Sequence, residues 1–421
     1  GARYVATVAY NAPTERIPIT GQVRFNAVSL PRQQLNVRIA TPIELAMRDI
    51  FVFAPREPIY EIGSEVRFSC ALNRAEPIES IRYDKIAASQ GIAYLCSAQD
   101  IQVAVRASGF RALLFSFKDR YAEQFDRALR EPENSLAQAM VLDQGKLPAS
   151  TMNAFSRSGL VHVISISGLH ISLIIFIFEA LLISLGAGLW FRTVCIAFVM
   201  TAYIVMLGFP PPAVRATIMG VSVLLAKNVG RPYNGVHILI LVAGIMVFLN
   251  PLVLNFDIGF QLSFLALLGM ALTSDFWEEF FHRVPETLGC RAVLSLTCAA
   301  QIFTWPLTAY YFKNISFVSP LANGLAAPLL TPMLVNAFVF LPASYVPGLG
   351  WFASWPLFVM RRIGIWIATA TSQLAFSYAT VQWFMEPHLI AAYGITIALA
   401  YYIRWHLIKK NIYETNAAHK L

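Results

Sequence analysis

The chain has 421 residues, of which 57% are hydrophobic and 13% charged, and its mean hydropathy is +0.57. Such values exclude an ordinary soluble globular protein and identify an integral membrane protein. The formal net charge of +8 suits an anionic partner, and equally the Lys and Arg that cytoplasmic loops of membrane proteins accumulate.

The chain opens on GARYVATVAY, without an initiator Met or an apolar h-region, so the expectation is that a segment has been removed ahead of it and that it carries no signal peptide or anchor of its own. Residues 13–106 alternate apolar and polar side chains in GQVRF (21–25), LNVRIA (35–40), DIFVFA (49–54) and EVRFSCAL (65–72). A period of two means strands with one buried face. Pro31, Pro42, Pro55, Pro58 and Pro77 punctuate them, which predicts a small antiparallel barrel or sandwich of about five strands, an OB-like β-barrel being the leading reading. Cys70 and Cys96 fall in this part and are the pair available for a disulfide in an oxidising compartment. Cys195, Cys290 and Cys298 sit in apolar segments and read as inert core residues.

From Phe110 the period changes. Phe110, Leu113, Leu114, Phe117, Tyr121, Phe125 and Leu129 follow helical spacing, with Arg111, Lys118, Arg120, Arg127 and Arg130 between them. Residues 107–158 are therefore predicted as amphipathic interfacial helices with a basic face toward the bilayer surface, the alternative being a helix packed on the barrel.

Residues 159–410 form the predicted transmembrane helical domain of about seven to nine spans. They are drawn at 160–186, 190–208, 213–229, 236–250, 258–273, 292–312, 318–345, 349–378 and 388–406, the fourth and fifth being short enough to be broken or re-entrant. Alternate crossings from an outside barrel put Arg192, Lys227, Arg231, Arg283, Arg291, Lys409 and Lys410 on one side, as the positive-inside rule requires. Lys313 falls on the other side, and Arg361 and Arg362 fall within a span.

The first span, GLVHVISISGLHISLIIFIF (159–178), has no formal charge yet holds His162, Ser165, Ser167, Gly168 and His170. Lipid offers such groups no hydrogen bonds, so they face other helices or a hydrated cavity. His162 and His170, eight residues apart, diverge by roughly 80° around a helix and form no ligand pair, whereas Ser167 and His170 share a face. Arg215 follows Pro210-Pro211-Pro212, and Asp257 and Gln261 are one helical turn apart. An Arg215–Asp257 pair neutralises both, whether as structural glue or as pore lining. Pro306, Asn323, Pro328, Pro332 and Asn336 are expected to interrupt the sixth and seventh spans and to open a wet cavity.

These segments resemble a known family. GLVHVISISGLHISLI (159–174), PPAVRATIM (211–219), NPLVLNFDIGFQLSFLA (250–266) and PLTAYYFKNISFVSPLANGLAAPL (306–329) are similar, in order, to signatures of the competence domain of the ComEC family of DNA-uptake channels. IRYDKIAASQGIAYLC (81–96) looks like the end of that family's OB-type domain. The resemblance implies a multi-pass protein of the bacterial inner membrane that passes single-stranded DNA into the cytoplasm during natural transformation. It also implies partners among other DNA-uptake proteins, and no cofactor. His162, Ser167, Gly168, His170, Arg215, Asp257, Gln261 and Asn323 match motif positions, and Arg215, Arg361 and Arg362 are the candidates for phosphate contacts. The seven histidines form no HxHxDH motif, so neither a metal site nor nuclease activity is expected, and the chain is read as no enzyme. Two other readings stand beside the channel. One is an intramembrane serine hydrolase using Ser167 with a membrane histidine. The other is a membrane-anchored binding scaffold. Oligomeric state is not legible in the sequence.

Overall fold

The computed structural model describes residues 16–28, 32–42, 45, 49–55, 60, 63–74, 92–98, 100–105, 108–145, 147–230, 235–286, 289–346 and 348–418. Pro31, Pro58, Pro77, Arg231 and most of the 81–96 segment lie outside the described residues, as do the side chains of Lys409 and Lys410. Two compact units divide the chain. The first comprises residues 1–147, 164–260 and 337–355, the second residues 148–163, 261–336 and 356–421.

The first unit begins with a sheet. Its strands are β1 (Ile17–Val28), β2 (Arg32–Thr41), β3 (Asp49–Pro55), β4 (Glu65–Cys70), β5 (Asn73–Arg74), β6 (Ile92–Ser97) and β7 (Gln102–Val105). Their order is β5-β6-β3-β2-β1-β4-β7, antiparallel except for β3 beside β6. The alternation is obeyed: β4 buries Val66, Phe68 and Cys70 and exposes the residues between them. Ile19, Val23, Leu35, Val37, Ile50, Val52 and Tyr94 complete one apolar core with them.

This corrects the expectation of about five strands in a barrel, since among the described residues seven strands form one ladder that is not closed, with edges at β5 and β7. The sheet is nonetheless strongly curled. Cys70 of β4 and Cys96 of β6 are joined by a disulfide with a Cα–Cα distance of 6.0 Å. Four strand steps separate β4 from β6, about 19 Å in a flat sheet. Curling of this kind needs bulges, and β1 has them at Thr20/Gly21 and Val23/Phe25. At the first, a Cβ on Gly21 would stand 2.5 Å from the Arg38 carbonyl oxygen, so the bend requires glycine.

Helix α1 (Phe110–Ala128) is amphipathic in three faces rather than two. Phe115, Lys118, Tyr121, Phe125 and Leu129 are buried, whereas Phe110, Leu113 and Phe117 are exposed. The buried stripe packs on other helices of the same unit. Phe125 stacks on Phe340 at 5.5 Å and Tyr121 donates to the Ala337 carbonyl, while on the exposed stripe Phe110 lies 6.3 Å from Phe198. Lys118 therefore departs from the expected basic face, because positions 118, 121 and 125 fall on one stripe. The exposed apolar stripe beside it is the surface such a helix presents to a bilayer. Helix α2 (Glu133–Leu142) follows, held where Tyr203 donates to the Val141 carbonyl at 2.6 Å.

The remaining helices are α3 (Ala149–Ser158), α4 (Val161–Ile164), α5 (Gly168–Ser184), α6 (Leu189–Leu207), α7 (Pro211–Asn228), α8 (Gly235–Leu249), α9 (Leu252–Phe256), α10 (Ile258–Phe280), α11 (Cys290–Phe312), α12 (Ser319–Ser344), α13 (Leu349–Ser372) and α14 (Glu386–Ala418). Short strands β8 (Asn314–Ser316) and β9 (Tyr378–Thr380) pair antiparallel. Among the described residues, five spans are long and apolar enough to cross a membrane: Val161–Ser184, Leu189–Leu207, Ile258–Phe280, Cys290–Phe312 and Ser319–Ser344. The chain is a multi-pass membrane protein. The expected fourth span falls short because α8, with 15 residues, reaches about 22 Å against the roughly 30 Å of a bilayer core.

Two further expectations are corrected. Helices α11 and α12 run unbroken through Pro306, Pro328 and Pro332, because neighbouring turns reabsorb the freed carbonyls of a membrane proline. The break lies instead in the first span, at Ser165-Ile166-Ser167, and again at Asp257 between α9 and α10.

Candidate functional site: two clusters of signature residues

In the first unit, three helix beginnings meet. Ser167 is the N-cap of α5: its hydroxyl lies 2.8 Å from His170 Nδ1, and its backbone N–H donates to the same nitrogen at 3.2 Å. This is a capping box in which histidine takes the place of the usual Glu or Gln. It explains why a span in lipid interrupts itself at serine, since the freed N–H groups find partners within the motif. His170 is buried, at 2% exposure.

Helix α7 begins at Pro211, a residue preorganised for a first turn. It runs parallel to α5. A Cβ on Gly168 would touch that of Ala216 at 3.8 Å, Gly220 abuts Ile175, and Lys227 pairs with Glu179 at 3.3 Å. Glu179 lay just past the polar motif, and its pairing with Lys227 was legible only once the parallel register was known. Helix α10 is capped by Asp257, whose Oδ1 accepts the Phe260 N–H at 2.9 Å. A Cβ on Gly259 would lie 3.9 Å from the Pro212 ring, which brings the beginning of α10 to that of α7. Arg215, 4% exposed, stands in this region, and the Asp257 charge acts on its guanidinium. Three N-terminal dipoles and an arginine thus concentrate positive potential at one place, tempered by one carboxylate.

In the second unit, the first half of the same motif meets α12. Gly159 ends α3 at φ +75°, and a Cβ there would come 2.5 Å from the Ser319 Cβ. Asn323 donates to the Ser319 hydroxyl at 3.1 Å, and the His162 ring engages Asn323 and the Gly159 backbone. The Ser316 hydroxyl donates to the Arg157 carbonyl at 2.7 Å. His162 and His170 therefore belong to different clusters.

The other candidates are scattered. Gln261 is half-buried on α10. Arg361 is fully buried on α13, donating to the carbonyls of Leu357 at 3.1 Å and Met333 at 3.4 Å, which ties α13 to α12. Arg362, its neighbour, is exposed. Among the described residues no three His, Cys, Asp or Glu side chains are gathered as metal ligands.

Residues 140–407, well over half of the chain, match the family model described as Competence protein. The chain belongs to the Competence protein family. Among curated proteins, it is 25% identical over 261 residues to the ComE operon protein 3 of Bacillus subtilis, covering 62% of this chain and 33% of that protein. It is 28% identical over 228 residues to an uncharacterised protein of Aquifex aeolicus, covering 54% of this chain and 50% of that one. It is 24% identical over 251 residues to the Recombination protein 2 of Haemophilus influenzae, covering 52% and 30%. The match thus spans half or less of each relative's length. Both clusters lie inside the Competence segment, as do all four signature stretches named from the sequence.

Proposed function

We propose that this chain is the membrane part of a DNA-uptake channel of the bacterial inner membrane, passing single-stranded DNA inward during natural transformation alongside other uptake proteins. The observation that carries the reading is the meeting of the α5, α7 and α10 beginnings around Arg215 and Asp257. A strand that sheds water from its phosphates needs preorganised N–H groups and cations within the membrane. Helix breaks at Ser165–Ser167 and Asp257, with the start of α7, turn three N-terminal dipoles toward Arg215, while the caps at Ser167 and Asp257 satisfy the first N–H groups of α5 and α10. Ser167, Gly168 and His170 are polar contributors to that path, while in the second unit His162, Gln261 and Asn323 are candidate polar contacts for DNA and Arg362 is an exposed phosphate candidate. Arg361, held by carbonyls, is a structural brace.

The sheet is read as an OB-like domain outside the cytoplasm. Residues 65–70 pair with β1 and residues 73–74 with β6, a curl of the open sheet that supports this reading. The Cys70–Cys96 disulfide fits an oxidising compartment.

The Ser167–His170 distance of 2.8 Å favours naming the hydrolase as a second reading. Against it, Nδ1 already receives the Ser167 backbone N–H, so the pair completes a cap. The deciding experiment loads the full chain into vesicles and follows entry of labelled single-stranded DNA, with a fluorophosphonate probe run in parallel. Entry without labelling of Ser167 supports the channel. Labelling of Ser167 without entry supports the hydrolase.

A further inference from the structure

The run PLTAYYFKNISF includes β8 and contains more aromatic rings than packing in a bundle requires. Its partner strand β9 is followed by a second aromatic group. From Trp383, ring centroids lie 5.9 Å away at Phe384 and 5.2 Å away at His388, and Met385 donates its N–H to His388 Nδ1 at 3.2 Å. The hairpin is fixed at its edges, where Phe317 donates to the Ser377 carbonyl at 3.0 Å and Val381 to the Lys313 carbonyl at 2.9 Å. All of it lies in the second unit.

Two cations are built into this lip. The Arg157 guanidinium lies 4.5 Å from the Tyr378 ring centroid, and Lys313 lies 5.4 Å from that of Tyr310 while donating to the Phe384 carbonyl at 2.5 Å. The nearby carboxylate, Glu386, accepts the Tyr310 hydroxyl at 3.0 Å. Large rings stay uncovered beside them: Trp383 is 62% exposed, Phe376 67% and Phe317 50%. These rings stand at or near the ends of α11, α12, α13 and α14, where a lipid boundary also collects aromatics, but they surround an extended hairpin among exposed Gln373, Thr380 and Gln382. Rigid rings with open faces, flanked by cations, are the chemistry that holds unpaired bases and their phosphates.

We infer that the β8–β9 lip is a stacking platform for single-stranded DNA, with Trp383 and Phe376 taking bases while Arg157 and Lys313 face phosphates. The inference rests on the channel reading and gives it a substrate-receiving surface. The lip continues into the Gly159–His162 cluster through Ser316, which holds the Arg157 carbonyl. Thymine-rich single strands bind it, and duplex DNA, whose bases are already stacked, binds less well.

The test uses the full chain in lipid nanodiscs and a fluorescent oligo(dT), with a duplex of the same length as competitor. The double variant Trp383→Ala/Phe376→Ala should weaken oligo(dT) binding by roughly 30-fold or more, as expected for the loss of two base stacks. Trp383→Phe should keep most of it, and Arg157→Gln should lower the salt dependence. Wild-type binding that the double alanine variant retains in full overturns the platform and leaves the channel reading standing. DNA entry into vesicles that proceeds normally in the double variant overturns it equally. Failure of the wild-type chain to admit or bind any single strand overturns the channel reading, and the platform with it. Equal loss in Trp383→Phe and Trp383→Ala marks a structural role for the ring and also overturns the platform.

Discussion

Replacing Asp257 separates two jobs that one carboxylate performs. Its Oδ1 caps α10 through the Phe260 N–H at 2.9 Å, and its charge acts on Arg215, a guanidinium only 4% exposed. Asp257→Asn keeps an amide oxygen for the cap and removes the charge, whereas Asp257→Ala removes both. The cap is worth about 1 kcal/mol, and coupling between neighbouring charges about 1–3 kcal/mol. Asn should therefore cost about 1–3 kcal/mol, and Ala about 1 kcal/mol more. Arg215→Gln with Asp257→Asn should recover the coupling energy. Unfolding in mixed micelles measures the cycle, and transformation frequency measures function alongside it. Additivity within about 0.5 kcal/mol would refute the coupling, and equal effects of Asn and Ala would refute the cap. If the double variant regains stability and transforms normally, Arg215 is glue. If it regains stability and stays defective, the arginine works on the passing strand.

Lys118 sets a pH dependence. Burial, opposed by the charges of Asp143 and Asp119, lowers its ammonium from 10.5 to about 8. The folded chain then binds fewer protons than the unfolded one between those values, so stability rises from about pH 8 to about pH 10.5, by about 3 kcal/mol at most. Lys118→Met should be more stable at pH 7 and flat over that window in a pH series of micellar unfolding; an unchanged slope would refute the assignment. Reduction of the Cys70–Cys96 bridge, 26 residues apart, should cost the sheet about 3.5 kcal/mol by loop entropy. Hydrogen exchange at β4 and β6 with and without reductant reads this, and equal protection would contradict it. Gly159→Ala should lose about 1–3 kcal/mol from its left-handed backbone alone, with the Ser319 contact adding to the loss. Gly188→Ala, at φ −65° with open space around it, is the control expected to be close to neutral in the same thermal assay.

The sequence carried the local rules plainly. Alternation in EVRFSC marks a half-buried strand wherever it pairs, because side chains alternate by geometry. The polar motif at 159–178 announced a membrane interior with hydrogen-bonding work to do. Its resemblance to competence proteins was legible for the same reason: Gly159, Ser167 and His170 occupy positions where backbone conformation or capping leaves little choice. Lys118 shows where local reading stops. Its type says solvent, but its place on the 115–118–121–125 stripe says burial, and the stripe is defined by what packs against it. The prolines misled in the same way. Pro306 and Pro328 announce a break by local chemistry, yet the helices continue because neighbouring groups satisfy the freed carbonyls.

What the sequence alone determined is the inventory: a strand-rich domain, a membrane domain, and a set of polar residues too costly to be idle. Tertiary structure decided their grouping. Asp257 and Arg215 are 42 positions apart, and Gly159 and Ser319 are 160 apart. No spacing rule joins them, because such contacts depend on how helices cross. The motif that reads as one span is shared between two clusters, His162 with Asn323 and His170 with Ser167. The reason is physical: a serine with a histidine three residues on can begin a new helix inside a membrane, and a new beginning redirects every side chain that follows it.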